Sequence, residues 1–370
     1  MVQNWQKTCA RHTAPTVSVA LARHLLFANP QSMVVDHLIK NLITDVPGIL
    51  VGNAHDANLA SGVTAAVFDA PAVASVAIHG GAPGVRDTAL LEPEESVERV
   101  DALVLSGGSA FGLDAMGGVL AHLRSEGRGF AVGDIRVPIA PGAVIFDLGV
   151  GGFSEWSGPA PWWDLGRKAA ADARLDFELG TTGAGFGATT SNVKGGLGSA
   201  SGFTAAGLGV GALVVVNAVG SVLIGDGPHF WAALDERSDE FGGLGCPSHI
   251  SASALAPSIK GGGAAPRENT TIAIIATDAV LDKAKAKRVA VMAHDGIGRA
   301  IRPSHAPMDG DLVFAAATGR SGRSPNLPEL TDIGRVAAEC LARAIARAIF
   351  EAIALPFPGA VPAWRDRFGV

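Results

Sequence analysis

The chain of 370 residues has no tyrosine, three cysteines and 17% charged residues, with no long basic run and no Gly-Lys-Ser/Thr phosphate loop. Each shortage narrows the function. Cys9, Cys246 and Cys340 are odd in number and far apart, so they indicate neither a disulfide framework nor a Cys-x-x-Cys metal site, and a reducing compartment is the natural home. A net charge of −6 without a basic stretch argues against nucleic acid or an anionic membrane as the main partner and favours a small molecule or peptide. A secretory signal is poorly supported, because Arg23 and His24 interrupt the early apolar run and no clear small-residue cleavage site follows, so a cytoplasmic location is expected. Gly183, Gly185 and Ala188 match Gly-x-Gly-x-x-Gly/Ala, yet no helix pattern follows them and no acidic residue stands at the ribose distance. A dinucleotide site is therefore rejected, and neither cofactor nor metal is expected.

What the chain has in quantity is glycine, 48 residues in a sequence that is 48% hydrophobic, which implies a globular fold with close backbone packing. Residues 1–32 carry Lys7, Arg11, Arg23 and His24 but no Asp or Glu, and read as a disordered extension or as sequence upstream of a start at Met33. From Ile43 the texture changes to short β-rich runs, VPGILVGNAHD, SGVTAAVFD and ASVAIHGGAPGV, broken by Gly, Pro and Asn. A strand over Ala102 to Leu105 then meets Ser106-Gly107-Gly108-Ser109 ahead of a helix reaching about Ser125. That junction either offers free N–H groups to an anion or carbonyl, or is a Ser-capped helix packed closely through glycine. The segment Trp156 to Trp163 reads as a surface or pocket wall, with a helix from about Leu165 to Leu175 after it.

Lys194 lies among glycines and is either a solvated turn lysine or a cation near a reacting centre. Gly209 to Ile224 reads as strand, turn and strand, with Asn217 its lone polar residue near the middle; such an amide must find partners or stand at a strand end, where it can donate to an oxyanion. Asp309 and Asp311 flank Gly310 before another strand, a pattern shared by paired catalytic carboxylates and by an ordinary turn. Helices are expected from Asp282 to about Arg299 and from Ile333 to Ala352.

The stretch that organises the rest is GGGAAPRENTTIAIIATD, Gly261 to Asp278. A flexible run delivers Arg267, Glu268 and Asn269, and Thr270 then opens an apolar, β-branched strand. An ordinary loop-to-strand junction has the same pattern. Cleavage of the Asn269–Thr270 bond would instead give Thr270 a free α-amine of pKa about 7.7–8 beside its own hydroxyl, so that one residue supplies nucleophile and base.

The segments ITDVPGILVGNAHD, LSGGSAFGLDA, VPIAPGAVIFD, TTGAGFGATTSNVKGGLGSAS, ENTTIAIIATDA and PMDGD, in this order, resemble the P1 peptidase family of L-aminopeptidase/D-esterases, β-peptidyl aminopeptidases and nylon-oligomer hydrolases. The resemblance implies an α/β protein, a four-layer αββα sandwich of the aminopeptidase/ornithine acetyltransferase type, that cuts itself into residues 33–269 and 270–370. It implies Asn269 before the cut and Thr270 as nucleophile, where aminopeptidase members have Ser. Lys194 and Asn217 would assist at the amine and oxyanion, and Asp309 and Asp311 would orient the nucleophile. Phe146 stands where the family often has Tyr, and with Ser109 it is read as substrate-binding. A homotetramer of processed protomers acting on small peptides, amino-acid amides or 6-aminohexanoate oligomers is the implied assembly. Competing readings are an ornithine acetyltransferase-like acyltransferase, a serine hydrolase using Ser109 (although Gly107-Gly108-Ser109-Ala110-Phe111 lacks the final glycine of Gly-x-Ser-x-Gly), and a processed protein without turnover.

Overall fold

Burial on both faces turns the apolar runs of this sequence into strands. The computed structural model describes residues 39–151, 156–263 and 269–369, all within one unit, Ile39–Val370. The expected extension over 1–32, the start at Met33, and Arg267 and Glu268 lie outside the described residues. The strands are β1 (Ile49–Asp56), β2 (Ser61–Ile78), β3 (Gly84–Arg86), β4 (Arg99–Ser106), β5 (Phe130–Val132), β6 (Ile135–Val137), β7 (Gly142–Val144), β8 (Gly196–Phe203), β9 (Gly209–Asn217), β10 (Thr270–Thr277) and β11 (Leu312–Ala317). The α-helices are α1 (Ser109–Gly112), α2 (Ala115–Ser125), α3 (Trp162–Ala171), α4 (Lys283–Ala300), α5 (Leu327–Phe350) and α6 (Trp364–Phe368). Nine strands form one mixed sheet in the order β3-β7-β4-β2-β11-β10-β9-β8, with β1 also paired to β2, while β5 and β6 form a separate hairpin.

Alternate residues of the long strands enter different apolar clusters. In β10, Ile272, Ile274 and Ala276 join residues of β1, β2, β4, β9 and β11, whereas Ala273 and Ile275 join Val289, Ala293 and Ile297 of α4 and Val336, Leu341 and Ile345 of α5. A third cluster sets Val63, Ala65, Val67, Ala102 and Val104 against Met116 and Val119 of α2 and Trp162 and Leu165 of α3. No face of β10 meets water, so its sequence need not alternate. The two longest helices, α4 and α5, begin where side chains satisfy free amides. Asp282 accepts the Lys285 N–H at 2.8 Å, and Asn326 and Glu329 form a reciprocal capping box at 2.9 Å each way.

Several expected boundaries move. SGVTAAVFD and ASVAIHGG are not two strands but one of 18 residues. Its register shifts between Val67 and Ala72, around an exposed Asp69-Ala70-Pro71 segment where proline has no N–H for the ladder. The strand expected after Asn217 is absent: Ser221 and Leu223 make isolated bridges to Arg302 and Phe230. Here the backbone packs on the 302–303 loop so closely that a Cβ on Gly220 would sit 2.2 Å from the Pro303 carbonyl oxygen. The helix expected up to Ser125 is broken into α1 and α2, and α3 starts at Trp162, which is fully buried, and ends before Leu175. The Trp162 indole donates to Ser61 at 2.9 Å, so this tryptophan packs and bonds inside the fold.

Glycine permits the close approach of helix to sheet. A Cβ on Gly198 of β8 would lie 1.9 Å from the Ala344 carbonyl oxygen of α5. Gly198→Ala is expected to cost about 1–3 kcal/mol through this overpacking, read as a lower thermal midpoint; an unchanged midpoint would show that α5 can move away freely.

Candidate active site

Thr270 is buried as the first residue of β10. On one side it pairs with Asn217, the last residue of β9. On the other, Asn269 bridges Asp309, and the parallel pairing continues from Ile272 opposite Leu312. The Asp309-Gly310-Asp311 turn is thereby laid along the Asn269–Thr270 peptide. The Gly310 N–H donates to the Asn269 carbonyl oxygen at 2.9 Å, and the Thr270 hydroxyl donates to the same oxygen. Asp311 Oδ1 accepts the Thr271 N–H at 2.7 Å. Glycine is needed in this turn, because a Cβ on Gly310 would lie 2.9 Å from both Thr270 Oγ1 and the Ala82 carbonyl oxygen.

The two aspartates are held differently. Asp311 Oδ2 accepts from the His305 backbone N–H and from His305 Nδ1, each at 2.9 Å. Asp309 accepts the Ala306 N–H at 3.1 Å, while its own carbonyl receives the Ala82 N–H at 2.8 Å. Burial, reinforced by the negative charge of Asp311, pushes the Asp309 carboxyl up to about 7. A group titrating there can both accept and return a proton near neutrality.

Asn217 is fully buried and anchored on the other flank. Its Oδ1 accepts from the Thr189 N–H and from Lys260 Nζ, both at 3.0 Å, and its Nδ2 donates to the Phe146 carbonyl at 2.9 Å. Lys194 is not a solvated turn lysine: it is 1% exposed. Its ammonium donates to the carbonyls of Gly185 (3.1 Å), Ala188 (2.7 Å) and Gly195 (2.9 Å). Desolvation lowers it to about 7, against the raising effect of Asp147 and with Lys260 adding to the fall. These bonds tie Lys194 to the loop wall, and none of them reaches Thr270. A cavity of about 590 Å³ lies at this wall, lined among others by Phe146, Leu148, Thr189, Lys194, Lys260 and Leu355.

Ser109 is not drawn into this group by any described bond. It has φ +52° and its N–H goes to the Ile145 carbonyl at 3.0 Å. The neighbouring Gly108 N–H, expected to be open to an anion, instead holds the Asp147 carboxylate at 2.7 Å. Asp147 is itself buried and raised to about 6 by desolvation, against hydrogen bonds from Gly108 and Ser61. The structure thus joins Asn269, Thr270, Asn217, Asp309 and Asp311, sets Lys194 and Phe146 on the adjoining cavity, and leaves Ser109 outside. Sequence reasoning missed Lys260, which stands immediately before Gly261, the donor role of Gly310 inside the Asp-Gly-Asp motif, and His305 behind Asp311.

Comparisons with known proteins place the chain in a family. Peptidase family S58 matches residues 41–359. The chain belongs to this family. The match carries the designation S58, not P1, and the relatives include the expected aminopeptidases and nylon-oligomer hydrolases. An uncharacterized aminopeptidase of Mycobacterium tuberculosis is 44% identical over 347 residues, covering 89% of this chain and 98% of that one. A 6-aminohexanoate-oligomer endohydrolase of a Kocuria species is 28% identical over 325 residues, covering 82% and 84%. The solved L-aminopeptidase D-Ala-esterase/amidase of Ochrobactrum anthropi, described as a variant of the Ntn-hydrolase fold, superposes with a TM-score of 0.59 at 19% identity over 88% of this chain and 91% of that one. As a family member the chain is an amide-bond hydrolase. Among the described residues no helix is long and apolar enough to cross a membrane.

The raised Asp309 predicts a pH-dependent stability. Its folded-state pKa of about 7 lies above the ordinary 3.8, so the folded chain binds this proton more tightly than the unfolded chain does. Stability is then lost as pH rises from about 4 through 7 and is level above that. On a Thr270→Ala background, Asp309→Asn should therefore gain stability relative to its parent at about pH 8 but not at about pH 5. Denaturant midpoints that differ by the same amount at both values would refute the shift.

Proposed function

We propose that the protein is a self-processing hydrolase whose nucleophile, Thr270, is released by cleavage of the Asn269–Thr270 bond. The observation that carries this reading is the convergence of the Thr270 hydroxyl and the Gly310 N–H on one buried carbonyl, that of Asn269. Thr270 Oγ attacks the Asn269 carbonyl carbon, and the negative charge that develops on the oxygen meets the Gly310 N–H. Asp309, poised near neutrality, takes the hydroxyl proton and returns it to the departing nitrogen. The C–N bond breaks, leaving an Asn269 ester on Thr270 Oγ and a free Thr270 amine. Water then hydrolyses the ester. The products are residues 33–269, or whatever longer segment ends at Asn269, and residues 270–370.

In turnover the Thr270 amine, at about pKa 8, accepts the proton from its own hydroxyl as the oxygen attacks a substrate amide. An acyl-enzyme forms, the substrate amine leaves with the proton, and water releases the acid. Asn217 gives one amide hydrogen to Phe146, and its second remains to meet the substrate oxyanion. Asp311, on the Thr271 N–H, holds the nucleophile's strand in place. Lys194 and Lys260 both line the cavity, and Lys194, lowered to about 7, lets proton exchange occur near neutral pH. Short linear amides suit this cavity: small peptides, amino-acid amides or 6-aminohexanoate oligomers, the last by analogy with the Kocuria 6-aminohexanoate-oligomer endohydrolase. Phe146 removes a hydroxyl that a tyrosine would supply at the cavity wall.

The same reading extends to architecture. Three apolar clusters, one between strand faces and two between strands and helices, support a four-layer αββα stack. The β5–β6 hairpin exposes Phe130 and Ile135 by 66% and 60%, which supports association of copies into a homo-oligomer, a tetramer in the family pattern.

Intact-mass measurement of the purified protein should show two fragments, the smaller beginning Thr-Thr-Ile-Ala. Thr270→Ala should remain one chain and lose amide hydrolysis, whereas Thr270→Ser should still be cut. A single uncleaved chain with full activity would remove Thr270 from this role and return attention to Ser109.

A further inference from the structure

Behind Asp311, on the side away from Thr271, lie three histidines that neither the sequence motifs nor the proposed chemistry uses. His79 follows the end of β2, His294 is on α4, and His305 is in the loop before Asp309. One ring nitrogen from each lies within 4.8 Å of the others. His79 stacks on His294 with ring centroids 3.7 Å apart, and His305 stands edge-on to both, at 5.4 and 4.9 Å.

The hydrogen bonds around two of the rings fix which nitrogen carries the proton and which the lone pair. His294 is 3% exposed, and its Nε2 lies 3.0 Å from the Ala77 carbonyl, which can only accept, so the proton is on Nε2. The lone pair is then on Nδ1, a buried atom with no hydrogen-bond partner. A buried acceptor without a donor is costly. His305 Nδ1 lies 2.9 Å from Asp311 Oδ2, which leaves its Nε2 as the unprotonated nitrogen. Both rings therefore have the arrangement of metal-binding histidines, with one nitrogen bonded to a carbonyl or carboxylate and the other presenting its lone pair. Three imidazoles without thiolates suit Zn²⁺ and the neighbouring late transition metals, and not Mg²⁺ or Ca²⁺, which require oxygen ligands.

We propose that His79, His294 and His305 form a binding site for one Zn²⁺-like divalent cation, with a fourth position open to water and with Asp311 as the carboxylate that orients His305. Zinc–nitrogen bonds of about 2.0–2.1 Å in a tetrahedral site require the rings to close on one another. His79, the exposed member, supplies that movement by swinging out of its stack, so that the metal lies in the plane of each ring. His294 and His305 stay as they are. The backbone carbonyl of Asp311 accepts the N–H groups of His79 and Gly80 at 3.0 Å. Asp311 therefore joins the ion to the N–H of Thr271, one residue from the proposed nucleophile. The site stands on ring geometry alone and holds whether or not Thr270 is that nucleophile.

The test uses the full chain, stripped with a chelator and titrated with Zn²⁺ against a competing indicator. Expected are uptake of one Zn²⁺ per chain at about micromolar affinity or better, indifference to excess Mg²⁺, and the intense visible bands of tetrahedral Co²⁺ when cobalt is supplied instead. His79→Asn alters an exposed residue and should weaken Zn²⁺ binding at least about tenfold, and should abolish the rise in thermal midpoint that Zn²⁺ gives the parent. Absence of stoichiometric uptake by the parent would overturn the proposal, as would equal Zn²⁺ affinity in His79→Asn or equal competition by Mg²⁺.

Discussion

The parallel pairing of β10 with β11 is the constraint on which the site depends. It sets Asp309 beside Asn269 and Asp311 against Thr271, so the turn between the two aspartates is delivered onto one particular peptide bond. Antiparallel pairing with β9 supplies the other wall by bringing Asn217 opposite Thr270. Neither contact needs a flexible side chain to search for its partner. Strand register does the positioning, and register is firmly specified here because both faces of β10 are buried and a slip of one residue would exchange them.

Burial gives these positions their chemistry. Lys194 and Asp309 are both brought to about 7 from opposite directions, the lysine down and the carboxyl up, chiefly by desolvation. The interior makes proton exchange near neutrality accessible to groups that in water would titrate several units away. The cost appears as buried charge-bearing groups held by backbone carbonyls and amides. Lys194 has three carbonyl partners, and Asp147 has the Gly108 N–H.

The sequence revealed the elements that its local chemistry specifies. Asp282 starts a helix because its side chain caps it, and the β-branched run after Thr270 is a strand because little else accommodates it on two buried faces; the helix expected from Ile333 begins instead at Leu327, where the Asn326 cap went unread. Asn217 was legible as a polar residue ending an apolar strand. The loss of a strand after Asn217 was not legible, since it follows from a long-range contact, the 302–303 loop filling the space beside Gly220. Lys260, Gly310 and His305 were missed for the same reason. Their roles arise from what the fold sets opposite them, and Ser109, prominent in its motif, was left aside because its neighbours are occupied.

The interleaving of the sheet has a further consequence. β10 and β11, from one side of Thr270, are inserted between β9 and β2, from the other side. A break at Asn269 would leave two polypeptides whose strands alternate across one hydrogen-bonded surface, and neither could leave without dismantling it. The precursor reaches this state by a unimolecular search, whereas the separated pieces could regain it only by meeting in solution and threading strands between strands. The processed form would then persist because its unfolding is slow and effectively one-way, a lifetime set by a barrier instead of a balance.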